Sequence, residues 1–198
     1  MENIFDQINA EALEQGLNPQ TVRARDWFRQ RVKEITAIDT VELMRSAPLI
    51  QKTRPLIGEM YLFLYDPKTK KKLKYYDTFP LIIMVDFITK KGRGFYGINL
   101  HYLPPTLRAK FLTQLLKHKS DDRYDEKTRF EITYDFLKNT NSMRYFKPCF
   151  KRYLSGKVQG RFSKIPASEW GIATFLPTAN FEKASESTVY ADSRKKVR

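Results

Sequence analysis

The reactive side chains of this chain are few, and they decide which kinds of catalysis the sequence can support. Cys149 follows Pro148 in an aromatic segment, and neither His101 nor His118 lies near it in sequence to serve as the base that a nucleophilic thiol needs. We interpret Cys149 as a buried structural thiol. A single cysteine also excludes an internal disulfide, and two imidazoles 17 residues apart have no metal-ligand spacing. We predict that His101, at a strand end, is a hydrogen-bonded core histidine.

Two local Asp-x-Lys arrangements are the other candidate chemistry, because a magnesium nuclease needs converging carboxylates with a lysine close by. They are Asp66-Pro67-Lys68 and Asp125-Glu126-Lys127. The first reads as a turn and the second as a helix start, where acidic residues favour the helix dipole. Neither is visibly paired with a second acid, and the sequence lacks a phosphate-binding glycine loop. We therefore predict no catalytic residue, no cofactor and no metal, and a nuclease is only the third hypothesis.

The charge of the chain points to an acidic partner. The 198 residues include 36 basic and 22 acidic side chains, a formal net charge of +14. The excess is uneven, since residues 1–57 carry 8 of each sign whereas residues 141–198 carry 12 basic and 4 acidic side chains. Nucleic acid, an anionic membrane surface or an acidic protein patch would suit such a surplus. The alternative is that the lysines only keep a basic protein dispersed.

Two basic segments stand out within this surplus. One is the lysine run of residues 68–74, and the other is the acid-free segment Arg144–Lys164, in which aromatic residues alternate with basic ones. This composition is typical of a groove that follows a nucleic-acid backbone, and equally of a half-buried helix and strand facing an acidic neighbour. The candidate contacts to an acidic partner or nucleic acid are Lys68, Lys70, Lys71, Lys72, Lys74, Lys147, Lys151, Arg152, Lys157 and Arg161.

The first 48 residues have the pattern of a helical arm. Apolar spacing predicts a helix over residues 2–15 that ends at Gly16, and a second helix from Pro19 to about Ile38. Thr40 is the expected cap of a short third helix, ended by Pro48. This charge-balanced arm could sit on the body of the protein or reach a partner chain.

Strand patterns follow the arm. Residues 59–65, 79–85 and 95–100 are apolar and aromatic enough for three antiparallel strands, and the middle one is apolar enough to be buried on both faces. Gly97 suggests a bulge or a close backbone approach. We predict a small SH3-like or OB-like β-barrel over residues 58–105.

The C-terminal half mixes helices and extended segments, which makes the predicted fold class α+β. Helices are expected over residues 106–117 and 125–138, a short helix over 148–154 and a strand over 157–165. Residues 106–178 would pack on the barrel, and residues 179–198 would form a basic tail with two weak helical pieces. Its end, Arg194–Arg198, would be mobile without a partner.

Several stretches of text carry a family resemblance. They are YLFLYDPKTKKKLKYYDTFPLIIMVDF with GFYGINLHYLPP, then FKPCFKRYLSGKVQGRF, IPASEW and VYADSRKK. Together they resemble a family of small proteins encoded by T4-like contractile-tailed bacteriophages, over about residues 60–190. The resemblance implies a virion or assembly component of the neck, tail or baseplate, or a member of the DNA end-protection and head-completion group. It carries over no catalytic residue.

We predict a non-enzymatic structural component of the phage tail or baseplate, located in the virion and in the host cytoplasm during assembly. Its partners would be other phage structural proteins in a symmetric multi-subunit assembly, with no membrane insertion and no cofactor. The alternative is a DNA-binding accessory protein that protects or caps packaged genome ends at head completion. Neutralising the basic segments would abolish a salt-sensitive DNA affinity in the second case.

Overall fold

The computed structural model describes residues 4–17, 21–31, 34, 50–88, 94–119, 126–139 and 146–197. The third helix expected from Thr40 and most of the loop between the second and third predicted strands lie outside these residues. Helices in chain order are α1 (Ile4–Glu14), α2 (Val22–Arg31), α3 (Pro105–Lys119), α4 (Glu126–Asn139), α5 (Trp170–Ala173) and α6 (Glu186–Val197). Strands are β1 (Ile50–Lys52), β2 (Met60–Tyr65), β3 (Tyr76–Asp77), β4 (Leu81–Ile88), β5 (Gly94–Asn99), β6 (Phe150–Leu154), β7 (Val158–Ile165) and β8 (Phe181–Glu182).

An antiparallel sheet forms the centre of the described part of the protein. Its strands follow the order β1-β7-β2-β4-β5-β6, and β3 pairs separately with β8. The three predicted strands correspond to β2, β4 and β5, and the predicted strand over 157–165 corresponds to β7. The expected α+β class and the antiparallel pairing are therefore confirmed.

Side chains on the central strands alternate between two cores, because successive residues of a strand point to opposite faces. Met60 and Leu62 of β2 belong to the larger buried cluster, which we call the main core and which also contains Phe111. Tyr61 and Phe63 face a second core. This second core, which we call the aromatic core, covers one face of the sheet. Its buried members are Tyr61, Phe63, Tyr65, Ile82, Met84, Phe95, Tyr153 and Phe162.

The sheet curls around the aromatic core without closing. In a flat sheet β2 and β6 would lie about 14 Å apart, yet the ring centroids of Phe63 on β2 and Tyr153 on β6 are 5.3 Å apart. The hydrogen-bonded order nevertheless ends at β1 and β6. The described residues therefore do not form a closed barrel, and the likeness to an SH3-like or OB-like fold stays a prediction. Strands β1, β6 and β7, from outside residues 58–105, widen the sheet on both sides. The sheet therefore curves over the aromatic core while its edge strands β1 and β6 stay unpaired with each other.

Gly97 of β5 lies directly against the side chain of Ile82 on β4. A Cβ atom at this position would lie 2.7 Å from Cδ1 of Ile82, and the register between the two strands shifts between Met84 and Asp86. The bulge is confirmed, and the close approach at Gly97 is made by the side chain of Ile82 and not by backbone.

The helices pack on the other face of the sheet, around the main core. Ile8 and Ala12 of α1 and Phe28 of α2 are buried in the main core. The same cluster contains Trp170 and those β4 residues that face away from the aromatic core: Leu81, Ile83 and Val85. Arg31 donates to both carboxylate oxygens of Glu11, at 2.6 and 3.0 Å, which joins α2 to α1. The first two helices of the predicted arm thus lie against the body.

The C-terminal third differs most from the sequence expectations. Residues 147–149 form a 3-10 turn and Phe150–Leu154 is a strand, so the helix predicted over 148–154 was wrong. The local apolar spacing does not reveal that this segment pairs with the edge of β5. The basic tail, for which the sequence indicated two weak helical pieces, contains the 12-residue helix α6, whose Val189 is fully buried. This helix continues through Val197, into the terminal segment that was expected to be mobile.

Candidate nucleic-acid interface

Three separate segments enclose one cleft of about 770 Å³. The first is the loop Pro67–Lys74 between β2 and β3, which we call the lysine loop. The second is the edge strand β6, and the third is the last two turns of α6. We call the space between them the basic cleft. Its described lining residues are Tyr65, Pro67, Lys68, Thr69, Leu73, Lys74, Tyr75, Tyr76, Asp77, Tyr102, Lys151, Arg152, Tyr153, Leu154, Asp192, Lys195 and Lys196.

Hydrogen bonds hold the backbone of the lysine loop, although the side chains of its lysines are exposed. Asp66 accepts a hydrogen bond from the ammonium of Lys70 at 2.9 Å, and this bond lowers the pKa of Asp66. Behind the loop, the ammonium of Lys183 donates to the carbonyl oxygens of Lys70 and Leu73. Lys183 adopts a φ of 70°, which is uncommon for a residue with a side chain. Its bonds to the loop carbonyls offset that backbone cost.

Strand β6 contributes two cations to the cleft in different surroundings. Arg152 is exposed, whereas the ammonium of Lys151 lies 3.7 Å from the ring centroid of Tyr102. Burial, and then the positive charge of Lys196, lowers the pKa of Lys151 to about 8. An anionic group entering the cleft would offset both causes and favour the charged form.

Helix α6 is held against the body by a buried arginine. Arg108 of α3 donates to the carbonyl oxygens of Leu103 at 2.7 Å and Thr174 at 3.2 Å, and also to the hydroxyl of Tyr190 on α6. Farther along α6, Asp192 forms an ion pair with Lys74 of the lysine loop, which lowers the pKa of Asp192. Lys195 and Lys196 are thereby placed at the cleft.

A buried hydrogen-bond network lies beneath the cleft. The Asp77 carboxylate is 2.8 Å from Nδ1 of His101 and accepts a bond from Asn99 at 2.9 Å. Nε2 of His101 is 3.0 Å from the hydroxyl of Thr178. This order of carboxylate, imidazole and hydroxyl resembles a hydrolase triad, but His101 is fully buried and Thr178 is 2% exposed. The network therefore joins strand ends, and the prediction of a satisfied core histidine is confirmed.

Cys149 is buried in the way the sequence indicates. Its thiol donates to the carbonyl oxygen of Phe146 at 2.7 Å, and burial raises its pKa to about 12. Such a thiol stays protonated at neutral pH and is a poor nucleophile.

The ranges that the structure describes show neither a metal-binding cluster nor a membrane-spanning helix. Those ranges contain no group of three or more His, Cys, Asp or Glu side chains arranged to hold a metal ion. No helix there is long and apolar enough to cross a bilayer.

The structure separates the predicted contact residues into two groups. Lys68, Lys74, Lys151 and Arg152 line the basic cleft. Lys70, Lys71 and Lys72 lie on the lysine loop but not in the lining, and Lys147 and Arg161 are exposed elsewhere. Lys157 is half-buried at the base of the lysine loop, where its carbonyl oxygen accepts from the backbone N–H of Asp66 at 3.0 Å. A DNA contact by any of these residues stays a prediction.

Sequence reasoning missed other lining residues of the cleft. Lys195 and Lys196 were assigned to a mobile tail, although Ala191 and Asp192 before them continue a helical pattern. Tyr75 and Tyr76 directly follow the lysine run, and this adjacency of rings to cations was the signal available for them.

Residues 2–197 match a family model described as phage T4 terminal DNA protecting protein. No curated protein and no solved structure matches the chain.

This match overturns the leading prediction from the sequence. The chain is not assigned to the phage tail or baseplate, because the family that spans nearly all of it is described by protection of DNA ends. The resemblance to a T4-like phage family was right at the coarser level. The alternative hypothesis, a protein that protects genome ends, is the one that agrees with the family.

Proposed function

Because the chain belongs to the family of phage T4 terminal DNA protecting proteins, we propose that it binds the ends of linear DNA in the basic cleft and shields them by occupying them. The observation that carries this proposal is the convergence of cations on one concave surface. Six cationic side chains from three segments line the cleft in the described residues: Lys68, Lys74, Lys151, Arg152, Lys195 and Lys196.

The acidic groups at the cleft do little to cancel this charge. Asp77 is 4% exposed and accepts bonds from the network beneath the cleft, while Asp192 is paired with Lys74. The remaining cations face an open concave surface. Such a surface attracts phosphates and releases their counterions, which gives a salt-dependent affinity.

Protection by occupancy requires no turnover. We propose that the protein is not an enzyme, since the thiol is buried and protonated and the triad-like network is closed to solvent. We also propose that it acts in the virion on the packaged genome end, and that neighbouring phage proteins complete its surroundings. The family description supports DNA as the partner, and the rest is inference from that role.

A binding experiment with matched DNAs tests the proposal. The probes are a linear duplex and a dumbbell of the same sequence whose two ends are closed by hairpin loops, titrated at about 150 mM salt. We expect clearly tighter binding of the linear duplex, because only it presents ends. Equal affinity for the two DNAs would overturn the proposal.

Two charge variants show whether the cleft is responsible. The cleft variant combines Lys151→Gln, Arg152→Gln, Lys195→Gln and Lys196→Gln. The outside variant removes the same number of positive charges at exposed positions that neither line the cleft nor lie on the lysine loop: Arg23→Gln, Lys110→Gln, Lys147→Gln and Arg161→Gln. We expect the cleft variant to lose the preference for ends and the outside variant to keep it.

A further inference from the structure

The basic cleft has the size of a pocket for a small ligand. Its volume of about 770 Å³ lies within the range of roughly 300–1,000 Å³ that holds one drug-sized molecule. A pocket of this size encloses one small ligand. The side of a duplex, in contrast, is a broad surface whose major groove is itself wide enough to admit a helix. The dimensions therefore favour a piece of one strand over the body of the double helix.

Contacts between the walls of the cleft set its width in the structure. The ion pair between Lys74 and Asp192 bridges the lysine loop and α6 across the cleft. Lys183 holds the loop from behind, and Arg108 holds α6 through Tyr190. Widening the cleft would break these contacts together.

Aromatic rings line the cleft beside the cations. Five tyrosines contribute to its lining in the described part of the chain: Tyr65, Tyr75, Tyr76, Tyr102 and Tyr153. Tyr65, Tyr102 and Tyr153 are buried in the floor, whereas Tyr75 and Tyr76 remain half-buried. Rings beside cations are the composition of sites for single strands, where bases stack on rings and phosphates meet cations.

We propose that the basic cleft receives the unpaired terminal nucleotides of one DNA strand. The phosphates contact Lys151, Arg152 and the lysines of α6, and a base contacts the ring of Tyr76. This inference rests on the proposed function, since it states which part of a DNA end the cleft holds. Terminal base pairs are the easiest to open, so a cleft of this kind selects ends over internal DNA.

Three DNAs of one sequence test this inference. The first is the closed dumbbell, the second is a blunt duplex whose terminal base pairs are covalently crosslinked between the strands, and the third is a duplex with a short unpaired tail. We expect the tailed duplex to bind about ten-fold more tightly than the crosslinked duplex, and the crosslinked duplex to resemble the dumbbell.

The outcomes separate this inference from the proposed function. If the crosslinked and tailed duplexes bind equally and both exceed the dumbbell, the protein binds ends without unpairing them, and the inference is overturned while the proposed function stands. If all three DNAs bind equally, the proposed function itself fails.

Substitution of Tyr76 tests the contact with a base. Tyr76→Leu should lose most of the preference for the tailed duplex, whereas Tyr76→Phe, which keeps the ring, should retain it. Unchanged preference in Tyr76→Leu would contradict the assigned contact.

A second measurement on the wild-type protein keeps the test valid if Tyr76→Leu fails to fold. Permanganate oxidises thymines that are not stacked, so thymines in the tail should become protected in the complex. Tail thymines that stay reactive at saturating protein would overturn the inference.

Discussion

The aromatic core and the basic cleft share two tyrosines but differ in almost every other respect. Tyr65 and Tyr153 belong to both. On one side of them, Phe63 contacts four other rings in an interior closed to solvent. On the other side, exposed cations surround an open space. The comparison suggests that the curled sheet supplies a rigid wall and that the lysine loop and α6 supply the chemistry.

This difference separates stability from binding. Changes in the aromatic core should lower the free energy of unfolding and leave the affinity of the folded fraction intact. Changes in the cleft should do the reverse, because exposed charges contribute little to folding.

The largest effect is expected at the centre of the aromatic core. Phe63→Ala should lower the free energy of unfolding by about 3–5 kcal/mol, because it removes a fully buried ring and leaves a cavity. Urea denaturation measures this change. Phe63→Leu, which refills part of the space, should cost clearly less, and equal losses in the two variants would contradict the importance of the ring contacts.

The cleft variant is expected to have the next largest effect, this time on binding. Its affinity for linear DNA should fall about a hundred-fold, since each exposed cation–phosphate contact contributes roughly 0.5–1 kcal/mol. The slope of log K against log salt should become shallower by about 0.7 for each lost contact to a phosphate of an unpaired strand. Titrations at several salt concentrations measure both quantities.

The outside variant is the control for this loss. An equal fall in its affinity would mean that net charge, and not the cleft, determines binding. The urea curve of the outside variant should coincide with that of the wild type, whereas the curve of the cleft variant should differ only through Lys151, which is half-buried beside Tyr102.

A smaller effect should appear in the pH dependence of binding. The pKa of Lys151 is about 8 in the free protein, and a bound phosphate would raise it. Affinity should therefore be flat at lower pH and fall as the pH rises above about 8, by at most ten-fold per pH unit for one proton. Lys151→Arg, which stays charged, should remove this dependence, and a pH profile unchanged by that substitution would contradict the role of Lys151.

Folding stability should respond to the same proton with the opposite sign. The pKa of Lys151 in the folded protein is below its ordinary value of 10.5, so between these two values the unfolded chain binds more protons. Stability should thus rise with pH over this window, while the affinity for DNA falls.

The smallest effect is expected at the ion pair across the cleft. Asp192→Asn removes a negative charge and frees Lys74, so the affinity for DNA should rise a few-fold. The free energy of unfolding should hardly change, because Lys74 is 72% exposed. Weaker binding in this variant would indicate that Asp192 positions Lys74 for the contact.

The sequence predicted elements whose own pattern determines them. Strands β2, β4 and β5 carry enough apolar and aromatic residues to be recognised locally, and β7 was found in the same way. Gly97 was informative because only a missing side chain permits the approach of Ile82. Helices α3 and α4 followed from apolar spacing.

Features that depend on distant parts of the chain could not be predicted. The segment over 150–154 forms a strand because β5 provides an edge, and α6 is ordered because Arg108, far away in sequence, bonds to Tyr190. Four of the candidate contacts meet at the cleft for the same reason. The positive charge was evident in the composition, but its convergence depends on the tertiary fold.

The central claim is that a DNA end lies between the lysine loop, β6 and α6, and crosslinking tests it most directly. A linear duplex carrying iododeoxyuridine at its terminal position would be irradiated in complex with the wild-type protein, and the attached residues identified by mass spectrometry. We expect crosslinks at Tyr75 or Tyr76. Crosslinks confined to the surface of β7 around Arg161 would contradict the account.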